Sequence, residues 1–262
     1  MTAWLLRRAL AAFQWYRSFG FWDIGKGRER LQDDECAFAI PPPKLRMLVA
    51  GTPNEDVFLE LGQKAILSIQ AALLAAGTDI RNCRSVLDFG CGCGRVLRHW
   101  KPEPQTRLFG TDYNPELAAW CQENIKHVTI IVNRIEPPIS LESGTLDLIY
   151  AFSVLTHLSV DLQKAWLAEF RRLLRPGGIL IFSTHGNFYR RKLWRDETER
   201  FDSGACVVRF QLVSGSNLCS TYHPEAYVRT HLAAGWEVAA FTPEGAYGNP
   251  SQDIYAFRKP TQ

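Results

Sequence analysis

Gly90, Gly92 and Gly94 stand at alternate positions directly after the apolar run Val86-Leu87-Asp88-Phe89. Such a run reads as a buried parallel strand, and the glycines let the chain turn sharply and approach a ligand with no Cβ in the way. The chemistry this suits is a nucleotide-type site at the carboxyl end of a first strand. Dinucleotide fingerprints read Gly-x-Gly-x-x-Gly, whereas the third glycine here arrives one residue early, and Asp88 precedes the turn. Both features point away from NAD. The alternative is a tight strand-to-helix turn with no ligand.

A second apolar piece, Arg107 to Thr111, ends in Asp112, where a doubly wound fold places an acidic group on a ribose. A carboxylate there accepts hydrogen bonds from both ribose hydroxyls and repels a phosphate. Asp112 could instead cap the next helix together with Asn114 and Pro115. Histidine is the natural proton acceptor near neutral pH. Of six histidines, His157 and His185 follow the ends of the fourth and fifth expected strands, the rim where open α/β sheets bind ligands, and His223 lies further on. Each could equally be a packed structural histidine.

These residues need a scaffold, and the hydrophobic pattern supplies one. Strands are expected at 84–89, 107–111, 128–132, 146–151 and 178–183, with helices at 94–101, 115–126 and 159–174 between them. Strands alternating with helices imply a parallel sheet covered on both faces. Residues 1–80 read as a helical N-terminal extension, broken at Pro41-Pro42-Pro43 and carrying a helix from Asn54 to Ala76; residues 81–262 read as the ligand-binding domain. Between the fifth and sixth strands an insertion at about 186–222 carries Phe188, Tyr189, Trp194, Phe201 and Phe210, and its Val207–Val213 piece alternates like a strand.

Composition narrows the partners. A net charge of +3 is too small for a nucleic-acid footprint and favours a small-molecule substrate. Seven scattered cysteines make no disulfide framework and fit a reducing, cytoplasmic setting. Cys91-Gly92-Cys93 lacks the second ligand pair that tetrahedral zinc needs, so no metal is expected. No apolar stretch of membrane-spanning length is expected either. Met1 to Trp22 is rich in aromatic residues and arginine and forms an apolar stripe when read as a helix. An interfacial membrane anchor, a lid, and a helix packed on its own domain or on a second subunit of a homodimer all remain open for it.

The motifs together resemble the class I S-adenosylmethionine (SAM) dependent methyltransferases. Leu146 to Leu158 looks like the fourth-strand motif of that superfamily, and Leu173 to Phe182 looks like its Leu-x-Pro-Gly-Gly turn into the fifth strand. Four motifs stand in order between Val86 and His185. The resemblance implies a Rossmann-like, doubly wound α/β fold with a seven-stranded, mostly parallel sheet. Its antiparallel last hairpin would come from 236–241 and 253–257. SAM is the implied cofactor. Gly90, Cys91, Gly92 and Gly94 would border its amino-acid portion, Asp88 would lie near the ammonium, and Asp112 would hold the ribose. Tyr113 would pack on adenine, Asn133 and Ile135 would line its edge, and Phe152 and Ser153 would close the other side. The implied function is methyl transfer to a hydroxyl or amine of a small metabolite such as a sugar or natural-product intermediate. His157 and His185 are then the candidate bases. Two alternatives from other classes are a catalytically silent SAM-binding scaffold and an NAD-type oxidoreductase.

Overall fold

The computed structural model describes residues 38–101, 103–249 and 251–261. The aromatic segment Met1 to Trp22 lies outside the described residues. One compact unit begins at Pro41. Two helices belong to that unit: α1 (Pro43–Ala50), which starts with proline at its first turn, and α2 (Glu55–Ala75), capped by Asn54 Oδ1 on the Val57 amide at 3.0 Å. The α2 helix is long and apolar enough, at 21 residues and mean hydropathy 1.4, to match a membrane span by length and composition, a match the sequence reading had not anticipated. In the fold its Phe58, Ala65, Ile69 and Leu73 are buried. It packs against the sheet and the turn at 97–99.

The sheet has seven strands: β1 (Ser85–Phe89), β2 (Arg107–Asp112), β3 (Val128–Val132), β4 (Leu146–Ala151), β5 (Leu174–Thr184), β8 (Glu237–Ala246) and β9 (Gln252–Arg258). Their spatial order is β3-β2-β1-β4-β5-β9-β8. The first five run parallel, while β9 lies antiparallel between β5 and β8. The order reverses at β1 and β4, so the loops after these strands open the crevice in which such sheets bind ligands. The connecting helices are α3 (Pro115–Asn124), capped by Asn114, and α4 (Val160–Leu173), capped by Ser159. The insertion after β5 contains α5 (Arg195–Asp202) and a small sheet of β6 (Val207–Arg209) and β7 (Ser220–Tyr222).

Alternate residues of β1 face opposite layers. Leu87 and Phe89 join the core beneath α4, where Phe89 meets Trp166 at 4.4 Å and Phe170 at 4.8 Å between ring centroids. Asp88 faces the other layer.

Three expectations change. No α-helix forms at 94–101; the chain makes turns and a short 3-10 segment at Leu97–His99. Gly92 and Gly94 hold φ of +57° and +76°, left-handed values that delay any helix. The buried Arg95 then donates to the Leu61 and Gly248 carbonyls, which pulls the following turn toward α2. The Val207–Val213 strand stops at Arg209 because Phe210 is left-handed, with φ of +54°. The β5 strand starts at Leu174, earlier than expected, and its pairing with β4 shifts register between Leu146 and Leu148.

Trp166→Ala should cost about 3–5 kcal/mol of stability by denaturant unfolding, since it empties the contact between α4 and β1.

Candidate cofactor and acceptor site

Two loops are fastened together at the crevice. The Gly90 and Cys91 amides both donate to the Thr111 carbonyl, at 2.8 and 2.9 Å. The Asp112 carboxylate accepts the Gly92 amide on Oδ2 and the Asn114 amide on Oδ1, each at 2.8 Å. Asp112 is buried, and desolvation raises its pKa against the pull of these two amides. Each oxygen keeps a lone pair for a further donor.

Side chains roof the glycine loop. A Cβ built on Gly90 would lie 2.6 Å from Val154 Cγ2, and one on Gly92 would lie 2.6 Å from Val49 Cγ2. Only glycine admits this approach. Val49 comes from α1, and the neighbouring Leu48 carbonyl accepts a hydrogen bond from Asn217 Nδ2 of the insertion at 2.7 Å. Gly215 of the same loop donates to the His157 carbonyl and sits against Ile135 and Tyr113. The roof is therefore made by Val154 after β4 and by α1, which the insertion braces. Surface clefts of about 300 and 140 Å³ occur elsewhere on the unit, and neither is lined by this loop.

The expected cofactor residues divide into two groups. Tyr113 and Ile135 are exposed, forming an apolar pair on one side of the crevice. Asn133 Oδ1 is buried there with no donor. Phe152 is buried at the end of β4, and Ser153 follows with φ of +59°, a strained value for a residue with a side chain. Cys91 and Gly94 do not face the crevice. The Cys91 thiol is buried against Cys121, and Gly94 packs so closely on Ile125 of the segment after α3 that a Cβ would lie 2.1 Å from it. Their places are set by packing of the loop on α3.

Asp88 lies beneath the loop, buried, with one oxygen bonded to the Tyr150 hydroxyl and the other without a partner. The hydroxyl in turn accepts the Trp100 indole N–H at 2.9 Å. Burial pushes the Asp88 carboxyl from 3.8 up to about 8, although Tyr150 and the nearby Arg95 guanidinium oppose the shift.

Sequence reading missed Gln252, whose importance arises only when β9 is laid beside β5. Its Nε2 donates to Ser153 Oγ at 2.8 Å, and its Oε1 accepts from Ser183 Oγ at 2.7 Å. Ser183 Oγ accepts the Ser153 amide at 2.7 Å. This closed set of bonds holds Ser153 in its strained conformation. Gln252 also interacts with the Tyr189 hydroxyl of the insertion.

His157 and His185 come together across the rim, with ring centroids 6.4 Å apart and planes at 86°. His157 Nδ1 lies 2.7 Å from the Cys219 carbonyl, and His185 Nδ1 lies 3.1 Å from the Thr221 carbonyl. A carbonyl can only accept, so each Nδ1 carries the proton and each Nε2 keeps its lone pair. Burial lowers both pKa values, and for His185 the charges of His157, His223 and Lys192 lower it further. His223 is different. It is fully buried, bonds Gln163 through Nε2, and is pushed down to about 3.

A Rossmann-like sheet with a glycine turn after its first strand and an acidic residue ending its second defines a nucleoside-cofactor-binding class. The methyltransferase-domain family matches residues 86–178. A malonyl-[acyl-carrier protein] O-methyltransferase of Hahella chejuensis is 32% identical over 105 residues, covering 38% of this chain and 36% of that protein. The tRNA N(3)-methylcytidine methyltransferase Mettl2 of Drosophila melanogaster is 27% identical over 170 residues, covering 61% of this chain and 50% of that protein. The chain thus spans half or less of the length of these relatives. A solved SAM-dependent methyltransferase from Mesorhizobium loti shares the fold at TM-score 0.52 and 17% identity, over 73% of this chain and 98% of that one. Residues 86–178 thus carry a methyltransferase domain, on a fold shared with SAM-dependent methyltransferases.

SAM is the cofactor of those enzymes, and the residues fit it. With SAM bound, Asp112 would offer lone pairs to a ribose diol, Tyr113 and Ile135 an apolar surface to a purine, and the orphaned Asn133 Oδ1 an acceptor to an amino group. The orphaned Asp88 oxygen beneath the loop would be the acceptor for an ammonium.

Since Asp88 is protonated in the free protein near neutral pH, cation binding beside it should release up to one proton. Calorimetry of S-adenosylhomocysteine binding in buffers of different ionisation enthalpy should show that release at pH 7, and it should vanish in Asp88→Asn. Gln252→Leu should leave the buried Ser183 hydroxyl proton without an acceptor and cost about 1–3 kcal/mol in thermal or chemical unfolding.

Proposed function

We propose that the protein transfers the methyl group of SAM to an oxygen or nitrogen of a small-molecule acceptor, with the proton taken by the His157 and His185 pair. The observation that carries this reading is the matched tautomer of the two rings, each with a free Nε2 at the ends of adjacent parallel strands. When bound, SAM supplies an electrophilic methyl on a sulfonium. Bound there, its sulfur would keep the bonding electron pair as the methyl passed to the acceptor atom. The acceptor proton passes to a histidine Nε2. Burial keeps both rings neutral, so the base form is present at neutral pH. The carbonyls of Cys219 and Thr221 orient the rings, and the roof of Val154 and α1, braced by the insertion, excludes water from the crevice.

A nucleic-acid acceptor is the competing reading, favoured by the similarity to a tRNA methyltransferase. Against it stand the modest net charge of +3 and the Ala151-Phe152-Ser153-Val154 sequence after the fourth strand, which lacks the Asn/Asp-Pro-Pro-Tyr pattern of base-amino methyltransferases. Methyl transfer from radiolabelled SAM into total tRNA and into a small-metabolite extract separates the two.

His157→Gln or His185→Gln should lower kcat by about 10²-fold or more while S-adenosylhomocysteine affinity is unchanged. The rate should stay level from above neutrality down through the ordinary histidine value of 6.5 and fall only at lower pH, as protonation of a lowered-pKa base requires. Unchanged turnover in both variants would remove the histidines from the reaction.

A further inference from the structure

The insertion carries its charge unevenly. Six cations and four acids lie between Asn187 and Arg209. Asp202 pairs with Arg190 at 2.5 Å, Glu197 with Arg209, and Glu199 with Arg195 at 3.4 Å. Arg191 and Lys192 have no acidic partner among the described residues. Both are exposed at their positions on the 3-10 turn Asn187–Lys192, yet both fold back over aromatic rings. The Arg191 guanidinium lies 3.6 Å from the Phe188 centroid, and Lys192 Nζ lies 4.7 Å from the Tyr189 centroid. The Tyr189 ring in turn lies 4.2 Å from that of His185. Lys192 therefore stands one aromatic ring away from a candidate base, and Arg191 stands on the adjoining Phe188 ring, 5.5 Å from Tyr189 between centroids.

We infer that Arg191 and Lys192 form a subsite for an anionic group, a carboxylate or phosphate, on the methyl acceptor, beside the reacting atom at His185. The inference rests on the proposed methyl transfer for its meaning. Its geometry rests on the cluster alone. Lys192 Nζ over the Tyr189 ring, with the like charge of Arg191 nearby, is an ammonium with no acidic partner among the described residues. An oxyanion supplies a counter-ion and charge-assisted hydrogen bonds. Tyr189 fixes the turn, because its ring is held by His185 and its hydroxyl interacts with Gln252. The anion would then be tied, through Gln252, to the Ser153 rim of the crevice.

The test uses the full chain labelled with ¹⁵N-histidine, with His185→Gln assigning the His185 ring signals. Sodium benzoate and inorganic phosphate are titrated separately at constant ionic strength, with and without S-adenosylhomocysteine. A saturable shift of the His185 signal by at least one anion is expected. Lys192→Met should weaken that anion about tenfold or more, and Lys192→Arg should restore most of the binding. A response to benzoate alone identifies a carboxylate subsite, and one to phosphate alone a phosphate subsite. No saturable His185 shift with either anion, or an unchanged midpoint in Lys192→Met, overturns the inference. Failure of S-adenosylhomocysteine to bind counts instead against the proposed function, because the anion titrations are read without it as well.

Discussion

The Asp112 carboxylate is the fastening on which the crevice depends. One buried group takes the Gly92 amide on one oxygen and the Asn114 amide on the other, so the loop after β1 and the cap of α3 share a single anchor. Burying a carboxylate is unfavourable unless hydrogen bonds compensate, and here the compensation also sets the shape of the ligand site. With Gly92 pinned, its positive φ and the close seat of Val49 follow. The position of α1 is thereby coupled to that of β2.

A second closed network, Gln252 with Ser183 and Ser153, fixes the loop after β4 as Asp112 fixes the loop after β1. It spans β9, β5 and the end of β4, three segments far apart in the chain. Strain at Ser153 persists because the surrounding bonds over-determine it. The insertion is joined to both networks: Gly215 and Asn217 reach the cofactor edge and α1, while Tyr189 reaches Gln252. A segment so placed can shape acceptor choice without altering the sheet.

The two titratable ends of the crevice are tuned in opposite senses by the same cause. Desolvation raises Asp88 and lowers His157 and His185, leaving all three neutral near pH 7. A neutral crevice is suited to receiving a cationic cofactor next to an acid that can ionise. It is equally suited to keeping bases unprotonated.

Much was legible in local pattern. Five buried residues in a row at Ser85–Phe89, the glycines after them, and Asp112 at the end of the next strand are marks of a parallel sheet with a ligand-binding turn, and they arise from backbone sterics and hydrophobic burial alone. The histidines could be placed at strand ends for the same reason. Local pattern did not show that 94–101 would fail as a helix, because the decisive pull on Arg95 comes from the Leu61 and Gly248 carbonyls. Nor did it show that Cys91 would turn into the core, that Gln252 would reach Ser153, or that Val49 would seat on Gly92. Sequence determines which residues can turn, bury or titrate, since those are properties of the residue and its neighbours in the chain. Tertiary structure decides which of them meet, because hydrogen bonds and close packing between distant segments exist only once the sheet has brought them within a few ångströms.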